Sequence, residues 1–264
     1  MRYSNLHTHT VFSDGKNTME EYVMAAQAHN MLSLGFSDHS YTQCDESYCM
    51  MPWKYGNYRE KLEQLKKDCP LPIYAGLELD ACSEDDPSEY DYVIASVHYL
   101  YAKGEFCSVD HAPEVSQRCL RDLFGGSALD MAKCYCDTIL AHVSRCKPTV
   151  VGHFDVINKF GIMPEGDDPY RNVMADCLKA VIGICPYIEL NTGAIAKGWK
   201  QVPYPAAFLL DTLKESGGKI VLGSDAHHAS KLTFWFDEAI ALLKTKGIES
   251  ICVFNGSGFD EMPI

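Results

Sequence analysis

The sequence predicts an α/β fold in which parallel strands alternate with helices and the sheet closes into a barrel. Apolar segments of strand length alternate with segments of helical periodicity along the whole chain. The length of 264 residues suits one barrel domain, because such domains typically run to about 250 residues. Six of the seven predicted barrel strands also carry a His, Glu or Asp at or just after their carboxyl end, where such barrels place their functional groups.

Seven apolar segments are predicted as barrel strands. In the first of them, alternation of side chains would place His7 and His9 on one face. In the third, Glu78 would be buried, and an isolated buried carboxylate is costly unless it has a partner. The predicted barrel strands are 3–9, 32–36, 73–80, 92–98, 149–153, 187–191 and 219–227. A further short strand is predicted at 251–255.

Helix signals separate these strands. Thr18 followed by Glu21 matches a capping box, so a helix is predicted to begin there and to run to about His29. Further helices are predicted at 57–68, 129–146, 170–183, 205–216 and 231–246. No linker or internal repeat interrupts the alternation, so residues 1–264 are predicted to form one domain.

Two segments without a regular period, 40–56 and 100–115, are predicted to be loops. The first is long for a compact barrel, and loops of this length tend to be functional or to act as lids. His111 in the second loop is expected at the surface. His29 and His142 fall within predicted helices and are given no role in a site.

Composition excludes several classes of protein. A formal charge of −13 argues against a nucleic-acid-binding surface. No apolar stretch is long enough to span a bilayer, and the first residues lack the apolar core of a signal peptide, so we expect a cytoplasmic protein without a membrane partner. The twelve cysteines form no CxxC motif, and most are expected to be reduced, buried thiols.

The residues at the strand ends form a set that suits metal ions. Nine nitrogen and oxygen ligands are too many for one ion, whereas six imidazoles and three carboxylates suit two or three ions of zinc, manganese or iron. An isolated pair such as His7 and His9 is more often two surface histidines than a metal site, and it is the recurrence at strand ends that favours a metal site. The set is His7, His9, Asp14, His39, Glu78, His98, His153, Asp225 and His227.

Six motifs in this chain resemble those of the PHP (polymerase and histidinol phosphatase) family. In chain order they are HTHTVFSDG, GFSDHS, GLELD, SVHY, GHFD and GSDAH. The resemblance covers essentially the whole chain and is closest to the stand-alone histidinol-phosphate phosphatase branch. The features typical of that branch are Tyr48, Met51, Tyr58, the SVHY motif, GHFD with Lys159 and Phe160, and the segment 189–205.

The resemblance implies a distorted seven-stranded (β/α) barrel with three metal ions at the carboxyl ends of its strands. It implies one ion held by His7, His9, Glu78 and Asp225, a second by Glu78, His98 and His153, and a third by Asp14, His39 and His227. It further implies hydrolysis of L-histidinol phosphate to L-histidinol and phosphate, with a metal-bridging hydroxide as nucleophile. Glu78, Asp225 and His227 are the residues assigned to catalysis.

This chain departs from the branch at the residue expected to bind the phosphate of the substrate. The branch often has an arginine in the loop after Asn191-Thr192, and that position here aligns with Ala196 or Lys197. Lys197 and Lys159 are therefore the candidates for binding phosphate, as point charges rather than bidentate forks. Solvated surface residues are the equally acceptable alternative for both. The acceptors expected to orient the imidazoles are Asp38, Asp80 and Asp155.

Three other functions stay open at this stage. A phosphoesterase of the same family could act on another small metabolite, such as a nucleotide or a sugar phosphate. A non-catalytic module stabilised by metal is a second alternative. Against it, every metal-ligand position of the family is filled in this sequence. A nuclease is disfavoured by the negative charge. Segments 40–56 and 100–115 are expected to determine the substrate, and the oligomeric state is left open.

Overall fold

Seven parallel strands form the central sheet of the computed structural model, which describes residues 2–264. In chain order the strands are β1 (Ser4–Asn5), β2 (Ser33–Phe36), β3 (Ile73–Asp80), β4 (Tyr92–Ser96), β5 (Tyr99–Ala102), β6 (Glu105–Ser108), β7 (Val150–Val151), β8 (Tyr187–Asn191), β9 (Lys219–Gly223), β10 (Ser250–Phe254) and β11 (Phe259–Pro263). The sheet order is β1-β2-β3-β4-β7-β8-β9, and every pairing within it is parallel.

The two edges of this sheet meet beyond its regular strands. Thr8 and Ala226 form a parallel bridge between the segments that follow β1 and β9. The His9 amide donates to the Ala226 carbonyl at 2.9 Å, and the Ala226 amide donates to the His7 carbonyl at 3.2 Å. These bonds nearly close the sheet into a barrel, as expected for a distorted (β/α) barrel of seven strands.

Eight helices accompany the strands within the described chain. They are α1 (Met19–Ala28), α2 (Tyr55–Asp68), α3 (Pro113–Arg118), α4 (Ala128–Cys146), α5 (Asp168–Ile182), α6 (Gly193–Ala196), α7 (Ala207–Glu215) and α8 (Phe236–Thr245). Thr18 caps α1 in the predicted capping box, with the Glu21 amide donating to the Thr18 hydroxyl and the Thr18 amide donating to the Glu21 carboxylate. None of the helices in residues 2–264 is long and apolar enough to cross a bilayer.

The apolar core has two main parts, and each packs helices against strands. The larger part includes Met131 and Ile139 of α4 and Leu178 of α5. The second part joins α1 and α2 to β2 and β3. A smaller cluster packs the β10–β11 hairpin against barrel strands through Cys252 and Phe254. The helical periodicity of the sequence is therefore used to cover the outside of the sheet.

The prediction of a loop at 100–115 was wrong. Residues 99–108 form an antiparallel hairpin, and α3 begins at Pro113. The hairpin turns at Lys103 and Gly104, which both have positive φ, 52° and 88°. In sequences, two-residue hairpin turns are usually recognised by Asn-Gly or Asp-Gly. Lys-Gly predicts such a turn less strongly. Strand β11, which completes the second hairpin, was not predicted either.

Several boundaries also differ. Strands β3 and β8 have the predicted bounds, but β1 and β7 have only two residues each. The residues after them leave the ladder and carry their side chains into the site described below. The last helix begins at Phe236 rather than near 231, because Trp235 before it adopts a left-handed conformation with φ of 64°.

Candidate metal centre

The barrel brings all nine candidate ligands to the carboxyl ends of its strands. Glu78 is the only one that lies within a regular strand of the described chain, and Asp14 comes from the loop that precedes α1. The other seven follow strand ends: His7 and His9 after β1, His39 after β2, His98 after β4, His153 after β7, and Asp225 and His227 after β9. Residues far apart in sequence thus face one another because parallel strands end on the same side.

The Glu78 carboxylate occupies the middle of this cluster. Its Oε1 lies 2.9 Å from His153 Nε2, and its Oε2 lies 2.7 Å from His39 Nδ1. Five imidazole rings have a nitrogen within 3.5 Å of it: His7, His9, His39, His98 and His153. Burial alone would raise the pKa of Glu78, but the surrounding imidazoles hold it well below its usual range. The side chain is therefore an anion shared by several ring nitrogens.

Asp225 and Asp14 supply the two remaining carboxylates. Asp225 Oδ1 lies 3.1 Å from His9 Nε2 and 3.4 Å from His227 Nδ1. Asp14 Oδ2 lies 3.2 Å from His227 Nε2. Asp225 has a φ of 47°, a left-handed conformation that costs energy in a residue other than glycine and often marks a functional site.

Several buried polar atoms of the cluster have no hydrogen-bond partner within residues 2–264. They are His7 Nε2, both ring nitrogens of His9, Asp14 Oδ1, Glu78 Oε2 and His153 Nδ1. Unsatisfied buried polar atoms are rare and costly in proteins. Burial lowers the pKa of His9 well below its usual range, and the neighbouring His39 and His227 lower it further, whereas nearby carboxylates outweigh burial and raise the pKa of His7, His39 and His98. The residues therefore fit divalent ions.

Three groups of ligand atoms lie close enough to hold an ion, with the atoms of each group within 4.8 Å of one another. The groups are His7, His9 and Glu78; His39, Glu78 and His98; and His9, Asp14, His39 and His227. The first contains three of the four ligands expected for one ion. The third contains all three ligands expected for another. The second has His39 where His153 was expected, so the division of ligands among individual ions stays a prediction.

Of the three predicted imidazole acceptors, one has that role. His98 Nδ1 donates to Asp80 Oδ2 at 2.7 Å, and the His98 amide donates to the same oxygen at 3.0 Å. Asp38 instead accepts bonds from Thr10 and Ser13, because alternation points it away from the face of His39. It thereby holds the loop that leads to Asp14.

Asp155 contacts no imidazole either. Its Oδ2 accepts a bond from the Ala206 amide at 3.0 Å. Asp155 lies two residues beyond His153, where the chain has turned into a short 3₁₀ helix at 156–158, so strand alternation no longer predicts its direction.

Glu189 is a residue of the site that sequence reasoning missed. His7 Nδ1 donates to Glu189 Oε1 at 2.7 Å, and the His153 amide donates to Glu189 Oε2 at 2.9 Å. The side chain is buried within β8, the one barrel strand to which no ligand was assigned. The argument that singled out Glu78, that a carboxylate in a buried strand needs partners, applies equally to Glu189.

An open cleft of about 320 Å³ lies over the cluster. Segment 40–56 contributes Ser47 and Tyr48 to its lining, and the hairpin region contributes Tyr99 and Ser108. Both segments expected to contact a substrate therefore border it. The further lining residues that carry polar groups are Asp110, His111, Lys159, Lys197 and Tyr204. His111 is exposed, as predicted.

Both candidate phosphate-binding lysines lie in this cleft. Lys197 Nζ is 3.5 Å from Asp225 Oδ2. Lys159 Nζ donates to the Asp110 carbonyl at 2.8 Å and lies 3.2 Å from its carboxylate. The cleft thus combines two cations with a set of metal ligands, an arrangement that suits a small anionic ligand.

The chain matches the family model described as PHP domain over residues 5–193. A Deinococcus radiodurans protein named "Probable histidinol-phosphatase" is 28% identical over 92% of this chain and 93% of that protein. A Schizosaccharomyces pombe protein of the same name is also 28% identical. That alignment covers 62% of this chain and 53% of the Schizosaccharomyces pombe protein.

A solved structure has the same fold. It is the histidinol phosphate phosphatase of Lactococcus lactis, in complex with zinc, L-histidinol and phosphate, with a TM-score of 0.71 and 23% identity over 98% of this chain and 99% of that one. The family match extends over nearly three quarters of the sequence and includes seven of the nine candidate ligands, all except Asp225 and His227. The chain belongs to the PHP domain family.

Proposed function

We propose that this protein is a metal-dependent phosphomonoesterase that hydrolyses L-histidinol phosphate to L-histidinol and phosphate, a step of histidine biosynthesis. The observation that carries the proposal is the cluster of nine candidate nitrogen and oxygen ligands beneath a cleft that also holds two lysines. Its substrate is suggested by relatives named histidinol-phosphatase, one of which aligns along nearly the whole chain.

The nine ligands would hold two or three divalent ions of zinc, manganese or iron. When bound, such ions lower the pKa of water and neutralise the charge of phosphoryl oxygens. No cysteine is among the nine candidate ligands. A ligand set without cysteine is typical of a catalytic rather than a structural metal centre.

Residues around the ligands would fix their orientation. Asp80 and Glu189 each accept the Nδ1 proton of one imidazole, His98 and His7 respectively. Each ring is thereby held in the tautomer that leaves Nε2 free for an ion. Both carboxylates are nearly fully buried, so water does not compete for these bonds.

Lys197 and Lys159 would bind the phosphate. Each already faces a carboxylate, Asp225 or Asp110, so an incoming phosphate would exchange one anionic partner for another. As point charges they would hold the phosphate with less directional preference than an arginine fork.

The proposal extends to organisation and location. Residues 1–264 would form one domain, supported by a sheet that runs from β1 to β9 and by the packing of the β10–β11 hairpin against it. A cytoplasmic location is supported by twelve cysteines that all occur as free thiols.

The test is phosphate release from L-histidinol phosphate by metal-reconstituted protein, beside a panel of nucleotide and sugar phosphates. We expect a clear preference for L-histidinol phosphate, with kcat/KM above about 10⁴ M⁻¹s⁻¹. Weak turnover at similar rates across the panel would support a metal-dependent phosphoesterase but contradict L-histidinol phosphate as its substrate. A preference for a nucleotide or sugar phosphate would establish the alternative substrate class.

A further inference from the structure

Two cysteines from separate segments meet beside the metal centre. Cys44 lies in segment 40–56, which borders the cleft through Ser47 and Tyr48. Cys82 lies two residues beyond the end of β3. Their sulfur atoms are 3.0 Å apart, and both residues are partly exposed. We refer to Cys44 and Cys82 as the thiol pair.

The thiol pair connects to a proposed metal ligand through one carboxylate. Cys82 Sγ donates to Asp80 Oδ1 at 2.8 Å, and the Cys82 amide donates to the same oxygen at 2.8 Å. The other oxygen of Asp80 accepts the Nδ1 proton of His98. The state of the Cys82 sulfur is therefore two hydrogen bonds away from an imidazole of the cluster.

We propose that Cys44 and Cys82 form a reversible disulfide that links segment 40–56 to the end of β3 and lowers turnover at the metal centre. A disulfide requires a sulfur separation of about 2.05 Å, so the two sulfur atoms need to approach by about 1 Å. The segment that carries Cys44 is irregular and can absorb that movement without disrupting a helix or strand.

The oxidant is a low-molecular-weight disulfide such as glutathione disulfide. The Cys44 thiolate attacks one of its sulfurs, a new sulfur–sulfur bond forms, and one glutathione thiolate leaves. The Cys82 thiolate then attacks the Cys44 sulfur and releases the second glutathione. The two thiol protons pass to the two glutathiones, so the two protein thiols are oxidised to one disulfide and one glutathione disulfide is reduced to two thiols.

The hydrogen bond to Asp80 favours Cys44 as the attacking thiol, because the Asp80 carboxylate holds the proton on Cys82 Sγ. Both residues of the thiol pair are partly exposed. Other cysteines that lie near one another, such as Cys136 and Cys177, are both buried. A dissolved disulfide can reach the thiol pair, whereas the core would have to open to admit it to the buried pair.

Oxidation would affect the site in two ways. Asp80 would lose the hydrogen bond that the Cys82 thiol donates, so the carboxylate that orients His98 would be less firmly fixed. Segment 40–56 would also be tied to β3, and its Tyr48 ring lies edge-on to His39, with ring centroids 4.7 Å apart. Changes in residues that orient metal ligands typically cost 10- to 100-fold, and the loss of one donor to Asp80 should fall at the lower end, roughly tenfold.

The experiment uses full-length, zinc-reconstituted protein treated with glutathione disulfide, because zinc itself has no redox chemistry under these conditions. Peptides are mapped by mass spectrometry without reduction, and phosphate release from L-histidinol phosphate is measured before oxidation, after it and after dithiothreitol. Cys44→Ser is the test variant. Cys49→Ser is the matched control, since Cys49 lies in the same segment but is buried, with its Sγ 3.9 Å from the Thr42 carbonyl oxygen.

The expected result is a peptide linked through Cys44 and Cys82, a roughly tenfold fall in turnover and full recovery with dithiothreitol. The same should hold for Cys49→Ser, while Cys44→Ser should show neither the linked peptide nor the fall. Absence of the linked peptide overturns the proposal, as does an equal loss of turnover in Cys44→Ser. A linked peptide with unchanged turnover overturns the coupling to the metal centre.

The activity measurement rests on the proposed function, whereas the peptide map does not. If the protein releases no phosphate from any substrate even when reduced, the proposed function fails. The presence or absence of the linked peptide then still decides whether the disulfide forms.

Discussion

Glu189 Oε1 accepts a hydrogen bond from His7 Nδ1 at 2.7 Å, although the two residues are 182 positions apart in the sequence. The bond fixes the His7 tautomer, so that its Nε2 points to Glu78 at 3.3 Å. The same carboxylate accepts a bond from the His153 amide. One buried side chain of β8 therefore positions two of the candidate ligands without being a candidate itself.

We expect Glu189→Gln to weaken metal binding roughly 10- to 100-fold while the protein remains folded. An amide keeps the size of the side chain but cannot supply the negative charge that strengthens His7 as a ligand. Zinc affinity measured by competition with a chromophoric chelator tests this. Glu215→Gln makes the same chemical change on the surface and should leave affinity unchanged. Equal affinities for wild type and Glu189→Gln would contradict the orienting role.

Gly223→Ala should reproduce that loss by displacing Glu189. A Cβ atom added at Gly223 would lie 1.7 Å from Glu189 Oε1, a distance at which the carboxylate must move. We also expect a loss of stability of about 1–3 kcal/mol from overpacking. Gly166→Ala is the control, because no atom lies within 4 Å of a Cβ there.

The two substitutions should not be additive in their effect on zinc affinity, because both act through the Glu189 carboxylate. The double variant is measured in the same chelator assay. A combined effect equal to the sum of the single effects would mean that Gly223 acts on the site by another route.

Lys197→Ala should raise KM for L-histidinol phosphate roughly tenfold and change kcat little. Loss of one charged hydrogen bond weakens substrate binding by roughly this factor. Loss of an interaction made equally in the ground and transition states raises KM and leaves kcat unchanged. Lys179→Ala is the control, since Lys179 also pairs with a carboxylate, that of Asp176, but on an exposed helix surface. An unchanged KM would contradict a phosphate-binding role for Lys197 and leave Lys159 as the remaining candidate.

His142 should make stability depend on pH although it has no place in the cleft. Its Nε2 donates to the Leu79 carbonyl at 2.8 Å, and Arg145 donates to its Nδ1 at 3.3 Å. Burial lowers the pKa of His142 below its usual value of 6.5, and the neighbouring Arg145 guanidinium adds to this effect. The unfolded chain therefore binds the proton more readily than the folded one.

It follows that stability from neutral His142 is complete above pH 6.5 and is lost as the pH falls below that value. One proton changes the unfolding free energy by at most about 1.4 kcal/mol per pH unit. Urea unfolding at pH 7 and at acidic pH should show a smaller fall for His142→Gln than for wild type. Equal falls would mean that His142 does not titrate on unfolding.

Seven of the nine candidate ligands, all except Glu78 and Asp14, could be predicted because they follow strands. In a parallel sheet all strands end on one side, so His39, His98 and His153 could be expected together without knowledge of any distance. Glu189 could not be found by that rule because it lies inside β8. It would have been found by asking, for each buried strand, which charged side chain lacks a partner.

Two other features depend on tertiary contacts that no local pattern displays. The direction of Asp155 follows from the turn of the chain into a 3₁₀ helix at 156–158, where strand alternation has ended. The hairpin at 99–108 depends on a Lys103-Gly104 turn, whose residue types only weakly indicate positive φ. Short-range signals predicted α1 and its capping box correctly, because that motif is complete within four residues.

The most direct test of the account is a metal titration of chelator-treated protein, followed by phosphate release from L-histidinol phosphate. We predict no turnover without metal and a rise to a plateau at two or three equivalents of zinc or manganese, with Glu78→Gln inactive throughout although folded by circular dichroism. Turnover by the metal-free protein, or an active Glu78→Gln variant, would contradict the proposal that this cluster performs the hydrolysis through bound metal ions.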